Sequence, residues 1–397
     1  MYSRLGSIFA RNSLKRLESF DFINRLKSVS KSTSSTPPSP SPPTPTSSLR
    51  PLLSYNSSSR FPITSFISRF PKTIQPYLLL ARMDKPIGTW LALLPSWWGI
   101  AMCAPIGCFP DIWTMSLFAA GGFLMRGAGC TVNDMWDRDF DKQVARTNTR
   151  PLAAGDLSMS QAGFFLFSQL SLGLLVLSQL NAPTAQLAGA SLFLIGMYPL
   201  MKRITFFPQV VLGFAMNYGI LMGAAASATS SITSNAIVSS TLVQFPEIVT
   251  SLPIISLFVT PVDWALVFPP STLVFIVPLY IGSVCWTVIY DTLYAHQDTV
   301  DDAKLGLKST ALWMGEDKTV PILSSLVCVM ALCWSCAGIA ANLSTPYFLS
   351  VFLASLHSLW QVQTANLKDS NNLAKRFKSN TSIGWIILAG IIVSKFI

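Results

Sequence analysis

Charged residues are scarce in this chain: Asp, Glu, Lys and Arg together make up 12% of its 397 residues. A soluble domain usually carries about a quarter of its residues as charges, so the scarcity excludes an ordinary soluble protein. Hydrophobic residues account for 51%, and the mean hydropathy is +0.48. The apolar runs are continuous and approach the ~20 residues that a helix needs to cross a bilayer, whereas a barrel shows alternation. The sequence therefore predicts an all-α membrane protein.

Acidic residues are almost absent from the first 72 positions, where the basic side chains up to Lys31 face only Glu18 and Asp21. Ser, Thr and Pro dominate positions 28–45. An Arg-rich, Ser-rich and acid-poor beginning is typical of an organellar transit peptide, although the Pro/Ser tract alone also suits a disordered tail. We predict that 1–72 is a transit peptide with a disordered segment, for a mitochondrion or secondarily a plastid, and that 73–397 is the membrane domain.

Basic residues are missing from every second connection between the apolar runs. The runs lie at roughly 88–106, 112–132, 161–180, 184–200, 208–226, 270–291, 318–341, 345–365 and 380–396. The connections after the first, third, fifth and seventh runs lack Lys and Arg, whereas the other connections contain them and Lys395 is the exception. This alternation follows the positive-inside rule. It predicts about nine transmembrane helices, with the basic side facing the matrix of a mitochondrion.

The segment 227–262 is semi-apolar and is interrupted by Pro246, Glu247, Pro253 and Pro261. A single crossing here would place the acidic clusters described next on opposite faces of the membrane. We therefore predict that 227–262 is a non-spanning, re-entrant or doubly crossing insertion on the side that lacks Lys and Arg.

Two acidic clusters interrupt the apolar background, one after the second run and one after the sixth. They comprise Asn133, Asp134, Asp137 and Asp141 in the first cluster, and Asp291, Asp298 and Asp302 in the second. Positions four apart share a helix face, so Asn133, Asp137 and Asp141 line up, as do Asp298 and Asp302. Like charges at this spacing repel one another, so we expect a cation among them. Ionisable groups at a membrane are also functional candidates by default.

Oxygen ligands suit Mg²⁺, which commonly joins carboxylates to substrate phosphates. Two such clusters on one face can hold a diphosphate between them, and a metal ion there stabilises the charge on a departing diphosphate. Hydrated charged loops are the alternative for either cluster alone, whereas an EF-hand is excluded because its Gly and Glu spacing is missing. Nearby basic residues can contact phosphate or serve as orientation charges. They are Arg146, Arg150, Lys202, Lys304 and Lys308.

These motifs resemble those of the UbiA-type intramembrane prenyltransferases. The first cluster is similar to the family's NDxxDxxxD pattern, the second to its DxxxD, and Tyr198 to Lys202 to its YxxxK. The resemblance runs from about Arg82 to the carboxyl terminus. The sequence segments 82–88, 126–130, 146–151 and 290–298 are most similar to those of mitochondrial 4-hydroxybenzoate polyprenyltransferases of ubiquinone biosynthesis. A Tyr at 218, where that family is expected to have Trp, is a departure.

The resemblance implies a nine-helix UbiA-type bundle with a central cavity open to lipid, and Mg²⁺ as cofactor. It implies transfer of a polyprenyl chain from polyprenyl diphosphate to the carbon ortho to the phenol hydroxyl of 4-hydroxybenzoate. The implied location is the mitochondrial inner membrane, with the acidic clusters facing the matrix. The lipid bilayer and a ubiquinone-biosynthesis complex are the other expected partners, and no nucleic acid is expected.

The same resemblance implies roles for individual residues. The Mg²⁺ ligands would be Asn133, Asp134, Asp137, Asp141, Asp298 and Asp302. The catalytic carboxylates among them would be Asp137, Asp141, Asp298 and Asp302, and Asp291 is available to accept the ring proton. The acceptor would contact Arg82, Arg203, Tyr198 and Tyr294. Aromatic faces that could shield the allylic cation are those of Trp90, Trp97, Trp98 and Tyr294. Haem, homogentisate or a naphthoate is the alternative acceptor, and a cation-coupled transporter is disfavoured because both clusters lie at run ends on one face.

Overall fold

The computed structural model describes residues 66–142, 147–228, 253–304 and 306–397, and all regular secondary structure within these ranges is helical. Its long helices are α1 (Ile87–Cys103), α2 (Ile112–Trp136), α3 (Met159–Leu177), α4 (Ala182–Ile204), α5 (Pro208–Ala228), α6 (Pro270–Ala295), α7 (Thr310–Ala340), α8 (Thr345–Gln363) and α9 (Ser370–Ser394). The predicted all-α architecture is confirmed, and each predicted apolar run coincides with one of these helices.

Six of these helices are long and apolar enough to cross a membrane, namely α3, α4, α5, α6, α7 and α9. Helix α1 is apolar but has only 17 residues, and α2 and α8 do not belong to the six. The predicted count of nine spans therefore stays a prediction. The outer faces of α3 and α4 are strongly exposed, with Phe164 at 74% and Phe193 at 69%, as expected of surfaces that contact lipid.

Local sequence signals set the helix ends. Asp111 caps the start of α2, since its carboxylate accepts hydrogen bonds from the backbone N–H groups of Trp113 and Thr114. A hydrogen bond from the Thr114 hydroxyl to the same carboxylate lowers the pKa of Asp111. Ser158 and Gln161 form a reciprocal capping box at the start of α3. These caps satisfy backbone donors at the helix starts that would otherwise be unpaired.

Helix α1 packs between α5 and α9. The indole N–H of Trp98 donates to the carbonyl oxygen of Gly384 on α9 at 3.0 Å, and its ring packs against Trp286 and Trp334. On the other side, Gly99 lies so close to α5 that a Cβ atom would collide with the backbone carbonyl of Ile220. Close backbone approach at small residues is a usual mode of helix packing in membranes.

The amino-terminal end of α4 shows which end of the bundle the predicted insertion joins. Asn181 Nδ2 donates to the carbonyl oxygen of Ala225 at 3.0 Å, so the end of α5 lies there. Gln186 Nε2 donates to the carbonyl oxygen of Thr260 at 2.7 Å, so the chain that follows the insertion lies there too. Most of 227–262 lies outside the described residues, and its topology stays a prediction. Its described flanks, however, lie at the same end of the bundle.

Candidate functional site

The first acidic cluster lies where α2 ends. Helix α2 stops at Trp136, Asp137 caps it, and a short helix Arg138–Asp141 follows. The helical hydrogen bonds continue across this junction, from the Asp137 N–H to the Asn133 carbonyl at 2.9 Å and from the Asp141 N–H to the Asp137 carbonyl at 2.8 Å. The backbone therefore keeps Asn133, Asp137 and Asp141 in the predicted i, i+4 register.

Asp139 lies away from this face, as the register predicts. Its side chain is 83% exposed and pairs with Lys142 at 2.9 Å. The hydrogen bond and charge of Lys142 lower the pKa of Asp139. Asp139 is thus a surface residue of the connecting segment and provides a natural control for its neighbours.

Two guanidinium groups converge on the first cluster. Arg82 Nη2 lies 2.6 Å from Asp134 Oδ1, and Arg150 Nη1 lies 3.1 Å from the same oxygen. Arg150 Nη1 also contacts Asp141 Oδ2 at 2.7 Å. Asp134 is 1% exposed, so this is a buried ion network. Arg82, which the sequence analysis assigned to the acceptor, is instead paired with a carboxylate of the protein.

The second cluster spans the end of α6 and the two short elements that follow it. Asp291 belongs to α6, a 3₁₀ turn spans His296–Asp298, and a helix spans Thr299–Lys304. Lys202 Nζ, at the end of α4, lies 3.7 Å from Asp302 Oδ1. Asp302 Oδ2 is buried and has no hydrogen-bond partner among the described residues. A buried carboxylate oxygen without a partner is costly, which indicates a missing cation or donor.

Residues of α2 and α4 connect the two clusters. Tyr198, one turn before Lys202, interacts electrostatically with Asp291 and Asp302 and also with Arg126 of α2. Arg126 lies two helical turns before Asn133, about 10 Å along α2. Its guanidinium approaches Gly88 of α1 so closely that a Cβ atom there would stand 2.8 Å from Nη2. The two clusters therefore face one region, bordered by α1, α2, α4 and α6.

Arg126 has no role among the sequence-based predictions, and the structure makes it a candidate. It is exposed although it lies within α2, and it forms no ion pair with any carboxylate in the described part of the chain. A lone arginine in an apolar segment is a functional candidate by default, and this signal was available in the sequence.

The remaining predicted residues are placed as follows. Lys308 Nζ donates to the carbonyl oxygen of Ile204, the last residue of α4, at 3.1 Å. Lys304 pairs with exposed Asp301 at 3.4 Å. Arg203 is exposed, and the Tyr294 ring lies 4.6 Å from that of Phe377. Arg146 lies outside the described residues.

The aromatic residues predicted to shield a cation divide into two groups. Trp98 is 0% exposed within the tryptophan core, so it has no free face for a substrate. Trp90 and Trp97 are partly buried and form a cluster with Trp385 of α9, with ring centroids 5.3 to 6.3 Å apart. The prediction for Trp98 is wrong because its ring fills the space between three helices.

The donor set fits a magnesium ion held partly by substrate. Both clusters supply only oxygen ligands, and Asp302 Oδ2 lacks a partner within the described ranges. No three acidic, histidine or cysteine side chains of the described residues converge closely enough to ligate one ion. Each cluster would thus contribute one or two carboxylates, with water and phosphate oxygens completing the shell, which is the usual manner of binding Mg²⁺.

Comparison with known proteins identifies relatives. Residues 92–384 match the model of the UbiA prenyltransferase family. The chain is 43% identical over 318 residues to a protein of Aedes aegypti named 4-hydroxybenzoate polyprenyltransferase, mitochondrial, covering 80% of this chain and 63% of that protein. It is 41% identical over 323 residues to the Homo sapiens protein of the same name, covering 81% and 76%. The chain thus spans less than two thirds of the mosquito relative and about three quarters of the human one.

Solved structures show the same fold. An apo UbiA homologue from Aeropyrum pernix K1 superposes with a TM-score of 0.57 at 22% identity, covering 77% of this chain and 97% of that one. A UbiA homologue from Archaeoglobus fulgidus bound to GPP and Mg²⁺ gives a TM-score of 0.50 at 15% identity, covering 80% and 99%. The predicted UbiA-type helical bundle is therefore confirmed at the level of the fold.

Proposed function

The chain belongs to the UbiA prenyltransferase family, and on that premise we propose that it transfers a polyprenyl chain from polyprenyl diphosphate to 4-hydroxybenzoate in ubiquinone biosynthesis. The relatives that are about 40% identical over most of the chain are named 4-hydroxybenzoate polyprenyltransferase, mitochondrial. The observation that carries the proposal is the arrangement of the two acidic clusters around one region, with Lys202 beside Asp302 and Arg150 beside Asp141.

In this proposal the residues of the two clusters hold the diphosphate through Mg²⁺. Asn133, Asp137 and Asp141 would hold it on one side, and Asp298 and Asp302 on the other. When bound, Mg²⁺ supplies Lewis-acid stabilisation of the charge on the leaving diphosphate. Arg150 and Lys202 already lie next to cluster carboxylates and can contact phosphate oxygens, the first in bidentate fashion and the second as a point charge.

The transfer breaks the bond between the allylic carbon and the diphosphate oxygen. A new carbon–carbon bond forms between that allylic carbon and the ring carbon ortho to the phenol hydroxyl. The same ring carbon then loses its proton, and we propose that the carboxylate of Asp291 accepts this proton. Asp291 interacts electrostatically with Lys202 and Asp298, and Tyr198 interacts with it in turn, so it belongs to the same group of residues.

We further propose that Arg126 binds the carboxylate of 4-hydroxybenzoate, in place of Arg82. Arg82 is held beside the first acidic cluster by Asp134 at 2.6 Å, whereas Arg126 lies two helical turns away along α2 and has no described carboxylate partner. A benzoate is the kind of anion that would neutralise an arginine within a membrane helix. The separation of two helical turns between Arg126 and Asn133 leaves room for the acceptor ring and the allylic carbon between them. Tyr198 borders the same space.

The location that we propose is the mitochondrial inner membrane, with the acidic clusters on the matrix side. The names of the relatives and the predicted transit peptide in 1–72 support the organelle, and the Lys- and Arg-containing connections support the orientation. A membrane site also suits the donor, because each methylene of its tail favours an apolar environment by about 0.8 kcal/mol.

The test is a panel of acceptors. Membranes that contain the full chain, supplied with Mg²⁺ and a polyprenyl diphosphate, should convert 4-hydroxybenzoate to a ring-prenylated acid that mass spectrometry detects. Homogentisate, a naphthoate and haem are the competing acceptors in parallel reactions. Faster conversion of any of these would reassign the acceptor, and the absence of any prenylated product would refute the proposed transfer.

A further inference from the structure

Asp134 differs from its neighbours in the first cluster because it is sealed off from solvent. Its exposure is 1%, whereas Asn133 is exposed and Asp137 is half-buried. Its Oδ2 atom is buried and has no hydrogen-bond partner among the described residues. Its Oδ1 atom is occupied by the two guanidinium groups, at 2.6 and 3.1 Å. The charge of Asp134 is therefore already neutralised at Oδ1 by two cations, and Oδ2 is shielded from solvent.

The two arginines reach Asp134 from different parts of the chain. Arg150 follows the first cluster, and Arg82 precedes α1, 52 positions before Asp134. The backbone of Arg82 adopts a φ of 58°, a left-handed conformation that is uncommon for residues other than glycine. Such strain persists only where the surroundings enforce it, and it is concentrated at functional sites. Here it accompanies a side chain that is directed at Asp134.

We propose that Asp134 is a positioning residue that anchors Arg82 and Arg150 for contact with the diphosphate, and that it is not a metal ligand; this inference rests on the proposed function. A cation at Oδ1 would have to replace two guanidinium groups, and a cation at Oδ2 would share one carboxylate with both of them, where like charges repel strongly because water is excluded. Asp302, whose Oδ2 also has no partner among the described residues, has only Lys202 near it, at 3.7 Å, and so leaves room for a cation. Removal of Asp134 would instead leave Arg82 without its carboxylate partner, so that its side chain turns to water, and would leave Arg150 held by Asp141 alone.

The contacts of Arg150 indicate why a second anchor is needed. Arg150 bonds both Asp134 and Asp141, the latter at 2.7 Å. Asp141 is a proposed metal ligand, and a carboxylate that ligates a cation accepts less readily from an arginine. With Asp134 alone still holding it, Arg150 keeps its place and has N–H donors available for a phosphate oxygen, since a guanidinium carries five. Asp134 thus keeps Arg150 in position to bind the diphosphate when Asp141 ligates the metal ion.

The test measures binding rather than turnover, with the purified full chain in detergent. Mn²⁺ affinity, read by electron paramagnetic resonance, reports on metal ligands. Affinity for geranyl S-thiolodiphosphate in EDTA reports on the basic residues, because no metal contributes there. We expect Asp134→Asn to weaken binding of the analogue in EDTA about tenfold, as loss of a charge-assisted contact does, and to change Mn²⁺ affinity less than about twofold.

Asp137→Asn is the matched control, and it should show the opposite result: weaker Mn²⁺ binding and no loss of analogue binding in EDTA, because removal of a carboxylate lessens the repulsion of the diphosphate. A loss of Mn²⁺ affinity in Asp134→Asn as large as that in Asp137→Asn would overturn the proposal, as would unchanged analogue binding. If Asp134→Asn does not fold, Arg82→Gln and Arg150→Gln are measured in its place, because both variants keep the carboxylate of Asp134. They must then weaken analogue binding in EDTA without weakening Mn²⁺ binding, or the proposal fails.

The acceptor takes no part in these measurements, so an error in assigning 4-hydroxybenzoate would leave their outcome unchanged. Failure of the unmodified chain to bind the analogue even with Mg²⁺ would refute the proposed donor itself, and the role of Asp134 with it.

Discussion

The ammonium group of Lys202 lies 3.7 Å from the carboxylate of Asp302, and this contact joins the end of α4 to the second acidic cluster. A hydrogen bond from the Lys308 backbone N–H to the Lys202 carbonyl, at 2.8 Å, holds the same two parts of the chain together. The YxxxK motif and the DxxxD motif, 96 positions apart at Lys202 and Asp298, thus belong to one arrangement of charges.

We expect Lys202→Met to lower kcat/KM by about 100-fold, which corresponds to roughly 2.7 kcal/mol of lost transition-state stabilisation. The substitution removes a charge that can contact the leaving diphosphate and leaves the buried Asp302 carboxylate without its cation. Steady-state kinetics on membranes of matched protein content provide the measurement. Lys375→Met is the control, because Lys375 is exposed on α9 and should tolerate the change. Equal rates for the two variants would contradict the role of Lys202.

Each acidic cluster contains an internal control for its metal-binding residues. We expect Asp137→Ala and Asp298→Ala nearly to abolish turnover without loss of membrane insertion, because each removes a proposed Mg²⁺ ligand. Asp139→Ala and Asp301→Ala should keep turnover within about twofold, since these carboxylates are 83% and 76% exposed and pair with surface lysines. Normal activity in both Asp137→Ala and Asp298→Ala would refute the metal assignment.

Substitution of Arg126 should separate the two substrates. We expect Arg126→Gln to raise the KM for 4-hydroxybenzoate at least tenfold, because a charge-assisted pair with the acceptor carboxylate is lost. The KM for the polyprenyl diphosphate should stay within about twofold. Initial rates measured while each substrate is varied in turn provide the test. A rise confined to the diphosphate KM would place Arg126 with the phosphate groups and return the acceptor carboxylate to Arg82 or Arg203.

The packing of α1 on α5 makes a prediction about stability. Gly99→Ala would place a methyl group against the Ile220 backbone carbonyl, which cannot move aside as a side chain would. Overpacking of this kind costs about 1–3 kcal/mol, so the melting temperature of the protein in detergent should fall. Gly163→Ala on α3 is the matched control, because a Cβ atom there meets nothing within 4 Å. Equal melting temperatures for the two variants would show that the close contact carries no constraint.

Features that depend on local sequence were predictable. The apolar runs gave the helices to within a few residues, apart from earlier starts for α7 and α9. In α9 the polar first turns, which begin at Ser370, conceal the start from a hydropathy pattern. In α7 the backbone departs from helical geometry at Gly315, and charged residues follow, so the turns before the predicted run form a separate helical segment. The i, i+4 register of the first cluster was predictable for the same reason, since it requires only helical geometry.

Features that depend on distant parts of the chain were not predictable. Arg82 lies just before an apolar run and Arg126 lies within one. The sequence does not reveal which of these two arginines is already paired with a carboxylate of the protein. The distinction arises because Arg82 and Asp134, far apart in sequence, meet at 2.6 Å once α1 and α2 pack. Burial of Trp98 is likewise a consequence of three helices meeting.

The central claim is that two acidic clusters act through Mg²⁺ to move a polyprenyl chain onto 4-hydroxybenzoate. The most direct test measures released diphosphate and ring-prenylated acid together, in proteoliposomes that contain the purified full chain. We predict that the two products appear in equal amounts with Mg²⁺, and that neither appears in EDTA or in Asp298→Ala. Diphosphate release without prenylated acid, or undiminished product in EDTA, would contradict the account.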